Sequence, residues 1–100
     1  MRYVVLHHTG WNEDHFDLML EADTDGPLLT WRLDAFPAPT RVQLLANHRR
    51  DYLTYEGDVS NGRGRVRRVA EGEYVVKDKT VADFLVFLTD SVVSLRLPLS

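Results

Sequence analysis

The sequence predicts a mainly β protein, a small antiparallel barrel or sandwich with at most one or two short helices. Turn residues such as Gly, Asp, Asn and Pro recur about every 10 positions, a spacing typical of short consecutive strands. Few segments repeat apolar residues at the spacing of an amphipathic helix. The stretch His15–Glu21 instead alternates polar and apolar side chains, which is the period of a strand with two unlike faces.

The composition is that of one globular domain over residues 1–100, with 44% hydrophobic and 27% charged residues. The absence of cysteine excludes disulfides, thiolate metal ligands and cysteine nucleophiles. The start of the chain does not resemble a signal peptide, and no apolar run approaches the roughly 20 residues that span a membrane. We therefore expect a cytoplasmic protein that has no membrane partner and acts as a monomer.

The first half of the chain predicts three strands joined by two polar connections. Arg2–His8 and His15–Glu21 are the first two strands, separated by the loop Thr9–Asp14. Asp23–Pro27 is a turn, because aspartate and glycine accept turn geometry and proline cannot continue a strand ladder. Leu28–Asp34 then forms the third strand.

The second half predicts shorter elements and one stretch suited to a surface site. Ala35–Pro39 is an extended connector and Arg41–Ala46 a short strand. Asn47–Gly57 mixes histidine, arginine and tyrosine with few aliphatic residues, which favours a surface site over a core. A single helical turn is expected at Thr80–Phe84.

Two hairpins are expected toward the end of the chain. Arg65–Ala70 and Tyr74–Lys77 would pair across the turn Glu71–Glu73. Phe84–Leu88 and Val92–Leu97 would form the last hairpin.

The polar face of His15–Glu21 is a candidate metal site. His15 and Asp17 are two residues apart, which places their α-carbons about 6–7 Å apart on one side of a strand. Together with His7 or His8 just upstream, they can bind one divalent cation. An ordinary half-buried strand is the alternative interpretation, but three of the four histidines fall within nine residues. The opposite face is apolar and is expected to pack in the core through Phe16, Leu18 and Leu20.

The charge is unevenly distributed around a net value of −3. Residues 1–34 carry seven acids against two arginines, whereas residues 41–68 carry seven arginines against three acids. The acidic part suits cations, and the planar guanidinium groups of the basic part suit phosphate. A charged, solvated strand edge is the commoner use of such a run.

Four runs of residues carry a family resemblance, namely His15–Glu21, Gly26–Trp31, His48–Gly57 and Gly62–Tyr74. In order and spacing over residues 7–74 they resemble the 3′-phosphoesterase domain of bacterial DNA ligase D, and in particular its short stand-alone relatives. The resemblance implies a compact β-barrel and a manganese-dependent DNA-repair enzyme. Such an enzyme removes a ribonucleotide or phosphate from DNA or RNA-terminated 3′ ends to leave a hydroxyl, and DNA ligase or other repair proteins are its expected partners.

The resemblance also implies roles for individual residues. It makes His15 and Asp17 metal ligands, with His8 as the third ligand and His7 as the alternative. It favours manganese, while the ligand types alone also accept zinc or another transition metal.

Three further residues match the family as catalytic residues. His48 corresponds to a histidine that contacts the scissile phosphate, Tyr52 to a nearby tyrosine, and Glu21 to the end of the strand motif.

The chain departs from the family at positions where the family carries charge. Met19 stands where the full-length enzymes have arginine, Asp34-Ala35 where they have a lysine, and Ala46-Asn47 where they have an acidic pair. Four arginines are the candidates to replace the lost charge: Arg32, Arg41, Arg63 and Arg65.

Two other functions are compatible with the same residues. His15, Asp17 and His48 fit the facial triad of non-haem iron oxygenases, although the chain is short for that class. The loss of charge at Met19 instead favours a module that binds metal and nucleic-acid ends without cleaving them.

Overall fold

The computed structural model describes residues 1–100, with eight strands and one short 3-10 helix. The helix is Arg50–Leu53. The strands are β1 (Arg2–Thr9), β2 (His15–Glu21), β3 (Leu28–Leu33), β4 (Val42–His48), β5 (Gly57–Asp58), β6 (Arg65–Lys79), β7 (Asp83–Leu88) and β8 (Val93–Pro98). Five of them, β1 to β3, β7 and β8, lie within one residue of the predicted bounds.

All strands pair antiparallel in one sheet of order β4-β3-β2-β1-β6-β7-β8, with β5 paired to β6. The sheet curls strongly, so that its two ends, β4 and β8, approach each other. The result is a half-barrel with a radius of gyration of 12.8 Å. The predicted fold class, a mainly β antiparallel barrel with at most two short helices, is confirmed in this form.

The main core lies between the two arms of the curled sheet. Leu18 and Leu20 of β2 are fully buried there beside Trp31 of β3, and Phe16 packs against them as expected. The other arm contributes Val86, Leu88, Leu95 and Leu97. The indole nitrogen of Trp31 donates to the carbonyl oxygen of Pro98 at 2.7 Å, which ties β3 to the end of β8.

A second, smaller core covers the opposite face of the sheet. Met19 of β2 packs there against Leu53, which the 3-10 helix lays over the strands. The other members are Val4, Leu6, Leu28 and Val66. Both faces of β2 are therefore buried, and its polar residues lie at the margin of a core and not in open solvent.

The predicted hairpin between Arg65–Ala70 and Tyr74–Lys77 is wrong, because these residues form the single 15-residue strand β6. The first half of β6 pairs with β1 and the second half with β7. Gly72 lies just before the change of partner, which falls between Glu73 and Tyr74. An added Cβ at Gly72 would overlap the Asp90 carboxylate. That carboxylate accepts a hydrogen bond from the Glu73 amide at 2.9 Å. Gly72 thus allows the Asp90 carboxylate to approach the backbone of a continuous strand, and it does not form a turn.

Two smaller expectations also differ from the structure. Thr80–Phe84 forms no helical turn. Instead, the Thr80 hydroxyl accepts hydrogen bonds from the amides of Ala82 and Asp83, both at 3.1 Å, in a tight turn before β7. Strand β4 continues to His48, two residues beyond the predicted end.

The only helix has four residues, so the fold contains no helix capable of crossing a membrane.

Candidate metal centre

The register of β1 and β2 brings three of the predicted ligands together. His8 lies directly opposite His15, and Asp17 follows two residues along β2 on the same face. Their candidate ligand atoms all lie within 4.8 Å of one another, and all three residues are buried. The short loop between β1 and β2 sets the register in which these residues pair.

Main-chain carbonyls orient both imidazoles. Nε2 of His8 lies 2.6 Å from the Arg63 carbonyl oxygen, and Nδ1 of His15 lies 3.0 Å from that of Glu13. Because a carbonyl can only accept, each of these nitrogens carries the hydrogen. In the neutral rings, Nδ1 of His8 and Nε2 of His15 are therefore the lone-pair atoms, which is the arrangement that metal-binding histidines show.

Both lone-pair nitrogens face Asp17. Nδ1 of His8 is 3.6 Å from Oδ2, and Nε2 of His15 is 3.2 Å from Oδ1. With neutral rings no hydrogen lies between these acceptors, and Oδ1 is buried without a hydrogen-bond partner. Such an orphaned atom costs about 1–3 kcal/mol. The three groups therefore require a cation or a proton between them.

A proton on His15 is one way to meet that requirement. The hydrogen bond that a protonated His15 ring donates to Asp17 raises the pKa of His15 above its usual value, and this effect exceeds the opposing effect of burial. A divalent cation is the other way. Two imidazole nitrogens and one carboxylate oxygen are a common donor set for transition metals that keep open coordination positions. The residues present thus fit a divalent metal.

His7 does not take part in this cluster. It lies opposite Phe16 on the other face of β1 and stacks on that ring, with centroids 4.5 Å apart and 14° between the planes. Of the two histidines left open by the sequence, the geometry favours His8.

A cavity of about 390 Å³ opens beside the cluster. His8, Asp17 and Met19 contribute from the strands. Asn47 and His48 of β4 and Val66 of β6 also line it. The 3-10 helix and the loops supply the rest of the wall: Trp11, Arg49, Tyr52, Val59, Ser60 and Arg63. The cavity thus joins the candidate metal centre to the predicted catalytic pair His48 and Tyr52.

His48 enters the cavity at the end of β4. Its Nδ1 lies 3.0 Å from the carbonyl oxygen of Ala46 and so carries a hydrogen, which leaves Nε2 as the atom that can take up or release a proton. The Tyr52 ring packs edge-on against the imidazole with centroids 5.8 Å apart. His48 is outside the ligand cluster, so the oxygenase-type triad of His15, Asp17 and His48 is not assembled.

The four predicted phosphate-binding arginines are dispersed. Arg63 lines the cavity. Arg32 and Arg41 line a neighbouring depression with His15, and three acids there offset their charge: Glu13, Asp14 and Asp34. Arg65 lies on the opposite face of the sheet, in register with Thr9.

Glu21 does not line the cavity. Its carboxylate accepts a hydrogen bond from the Arg2 amide at 3.0 Å and forms an ion pair with Arg50. Its main-chain carbonyl accepts from the Tyr74 hydroxyl at 2.6 Å. These contacts connect β2 to neighbouring elements, and the catalytic role of Glu21 stays a prediction.

Trp11 and Arg49 line the cavity but do not emerge from sequence reasoning. Trp11 is 41% exposed and stacks over His8 with centroids 6.0 Å apart. Arg49 lies over the Tyr52 ring, with its Cζ 6.0 Å from the centroid. Trp11 could have been predicted as a binding residue because a tryptophan in a polar loop is unusual. No sequence pattern distinguishes Arg49 from its neighbours.

Comparison with known proteins found no matching protein-family model and no match among curated proteins.

Proposed function

We propose that this protein is a metal-dependent phosphoesterase that acts on the 3′ ends of nucleic acids. The observation that carries the proposal is the convergence of two lone-pair nitrogens on the buried carboxylate of Asp17, whose Oδ1 has no hydrogen-bond partner, at a cavity that also holds His48.

The charge of the cavity favours a phosphate ligand. Asp17 is the only acid among its lining residues, whereas Arg49 and Arg63 both line it. Arg49 forms no ion pair with a carboxylate, so its guanidinium remains available for a phosphate oxygen. Once a cation offsets Asp17, the cavity carries a net positive charge.

The residues of the chain divide the work of hydrolysis. A bound divalent ion would polarise the phosphate and lower the pKa of water, and manganese is our first candidate. His8, His15 and Asp17 would hold the ion. His48 would donate a proton from Nε2 to the leaving oxygen, and Tyr52 would keep the imidazole in place.

The choice of nucleic acid rests on the family resemblance and on two aromatic side chains. Trp11 and Tyr52 both line the cavity, and aromatic rings of this kind stack on bases of any sequence. A role beside DNA ligase or other repair proteins in the cytoplasm follows from the resemblance and belongs to the same proposal.

The test is metal-dependent removal of a 3′-phosphate or a single 3′-ribonucleotide from a primer annealed to a template. With manganese, His48→Ala should lower turnover about 100-fold or more while manganese affinity stays unchanged. Asp17→Ala should lose both turnover and manganese affinity. Arg96→Gln, an exposed change on β8, is the control and should resemble wild type. Unchanged turnover in His48→Ala would contradict the role of that residue.

A binding module is the second candidate, favoured by Met19. This side chain is 1% exposed and presents an apolar surface beside Asp17, where the resembling enzymes carry an arginine. Such a module would bind metal and primer ends but would give no turnover with manganese, zinc or magnesium.

A further inference from the structure

A second group of phosphate-binding side chains lies behind the metal centre. In the pairing of β1 with β6, His7 is opposite Arg67 and Thr9 is opposite Arg65. These four residues alternate with His8 and Val66, so they share the other face of the sheet. They line a depression of about 450 Å³ that contains no apolar and no acidic residue. We call this group the rear site.

The two arginines of the rear site have little to neutralise them. Arg67 forms no ion pair, and Arg65 reaches only Asp58, with Nη1 3.9 Å from Oδ1. The side chains of that pair are 69% and 87% exposed, and contacts of this kind contribute little stability. An anion can therefore displace Asp58 at small cost.

The other two members of the rear site, His7 and Thr9, suit the same ligand. The His7 ring lies flat on Phe16, which fixes its plane. Thr9 contributes a hydroxyl on the same face. Guanidinium, imidazole and hydroxyl donors together match the oxygens of a phosphate group.

Position relates the rear site to the cavity. His7 and His8 are consecutive in β1 and face opposite sides of the sheet, close to the loop after Thr9. A nucleic-acid strand that crosses this end of the sheet passes from one face to the other. Its terminal phosphate and an upstream phosphate then contact different sites.

We propose that the rear site, His7, Thr9, Arg65 and Arg67, binds an upstream backbone phosphate of a single strand whose 3′ end occupies the cavity. The inference rests on the proposed function for the position of the 3′ end. It predicts a preference for long strands, because the single phosphate of a dinucleotide cannot occupy both sites.

The experiment measures binding of a fluorescent single-stranded oligonucleotide to the whole protein in manganese, with an unlabelled dinucleotide as competitor. Arg65→Gln/Arg67→Gln should weaken oligonucleotide binding about tenfold or more, since each hydrogen bond removed is to a charged group. The slope of log K against log salt should become shallower by about 0.7 for each phosphate of the single strand that the variant no longer neutralises. The dinucleotide should bind as it does to wild type.

The matched control is Lys77→Gln/Arg96→Gln, which removes the same charge from exposed positions away from the rear site. Oligonucleotide binding in this control should stay at the wild-type level. Equal weakening in both double variants, or an equal loss for oligonucleotide and dinucleotide, would overturn the rear site in favour of general electrostatic attraction.

The two proposals fail separately. If the Arg65→Gln/Arg67→Gln variant binds the oligonucleotide more weakly as predicted, but the wild-type protein cleaves nothing, the proposed hydrolysis is contradicted and the rear site is retained. If the wild-type protein shows turnover that does not depend on strand length, the hydrolysis is retained and the rear site is contradicted. Absence of oligonucleotide binding contradicts both.

Discussion

At the scale of single residues, the central feature is a shortage of hydrogens among His8, His15 and Asp17. Each imidazole uses its N–H on a main-chain carbonyl, so the atoms that face Asp17 are acceptors facing an acceptor. A proton or a cation resolves the conflict, and the two compete for the same space. This competition gives metal binding a defined dependence on pH.

We expect manganese affinity to fall as the pH is lowered through the raised pKa of His15. Below that pKa the His15 imidazolium pairs with Asp17, so the ion must displace a proton; above it the ring is neutral and affinity levels off. Calorimetric titration from about pH 5 to 8, a range that brackets the usual histidine pKa, measures this. His15→Ala should bind weakly at every pH, whereas His7→Gln should follow the wild-type curve. Tight, pH-independent binding in His15→Ala would exclude the site.

The sequence predicts which residues form this centre, but it does not predict the contacts between them. The two-residue period put His15 and Asp17 on one face, and that much depends only on β2 being a strand. The choice between His7 and His8 depended on the register across the loop before β2, which no local pattern encodes. Trp11 went unnoticed because its role depends on a fold that returns it over His8.

At the scale of elements, strand β6 shows how one glycine can be misread. A Glu-Gly-Glu sequence between two β-rich runs indicates a turn, yet here it continues a strand. The reason is Asp90, distant in sequence, whose carboxylate takes the space that a Cβ at Gly72 would need. Long-range contacts of this kind are invisible to turn statistics.

Gly72→Ala should destabilise the protein, by about 1–3 kcal/mol as for other overpacked sites. The added methyl group must displace the Asp90 carboxylate, which then loses its hydrogen bond to the Glu73 amide. Chemical denaturation followed by circular dichroism gives the free energy of unfolding. Adding Asp90→Ala to Gly72→Ala should recover part of the loss, because the overlap disappears. A neutral Gly72→Ala would show that this approach is looser than described.

At the scale of the whole molecule, the curl of the sheet creates two unlike interiors. The alternation of β2 predicted the apolar one correctly, since Leu18 and Leu20 lie between the arms. The second interior, under the 3-10 helix, could not be predicted because Leu53 is an isolated apolar residue in a polar stretch. The cavity depends on this second interior, so its shape was equally out of reach.

Leu18→Ala should cost about 2–5 kcal/mol of unfolding free energy, because the fully buried side chain leaves a cavity between the arms. Val75→Ala, at a position that is 45% exposed, is the control and should change stability by less than about 0.5 kcal/mol. Thermal or denaturant unfolding compares the two variants. A loss under about 1 kcal/mol for Leu18→Ala would mean that this side chain is not packed between the arms as described.

The carbonyl groups behind His8 and His15 have a consequence for how such a centre can vary in evolution. Every amino acid supplies a main-chain carbonyl, so the identities of Arg63 and Glu13 are free as far as ring orientation is concerned. Insertions or deletions near them are not free, because a shift of one residue would aim a different carbonyl at the ring. Substitutions can therefore change the residues around the two histidines while the spacing is retained. Related centres are better sought by loop length than by residue identity.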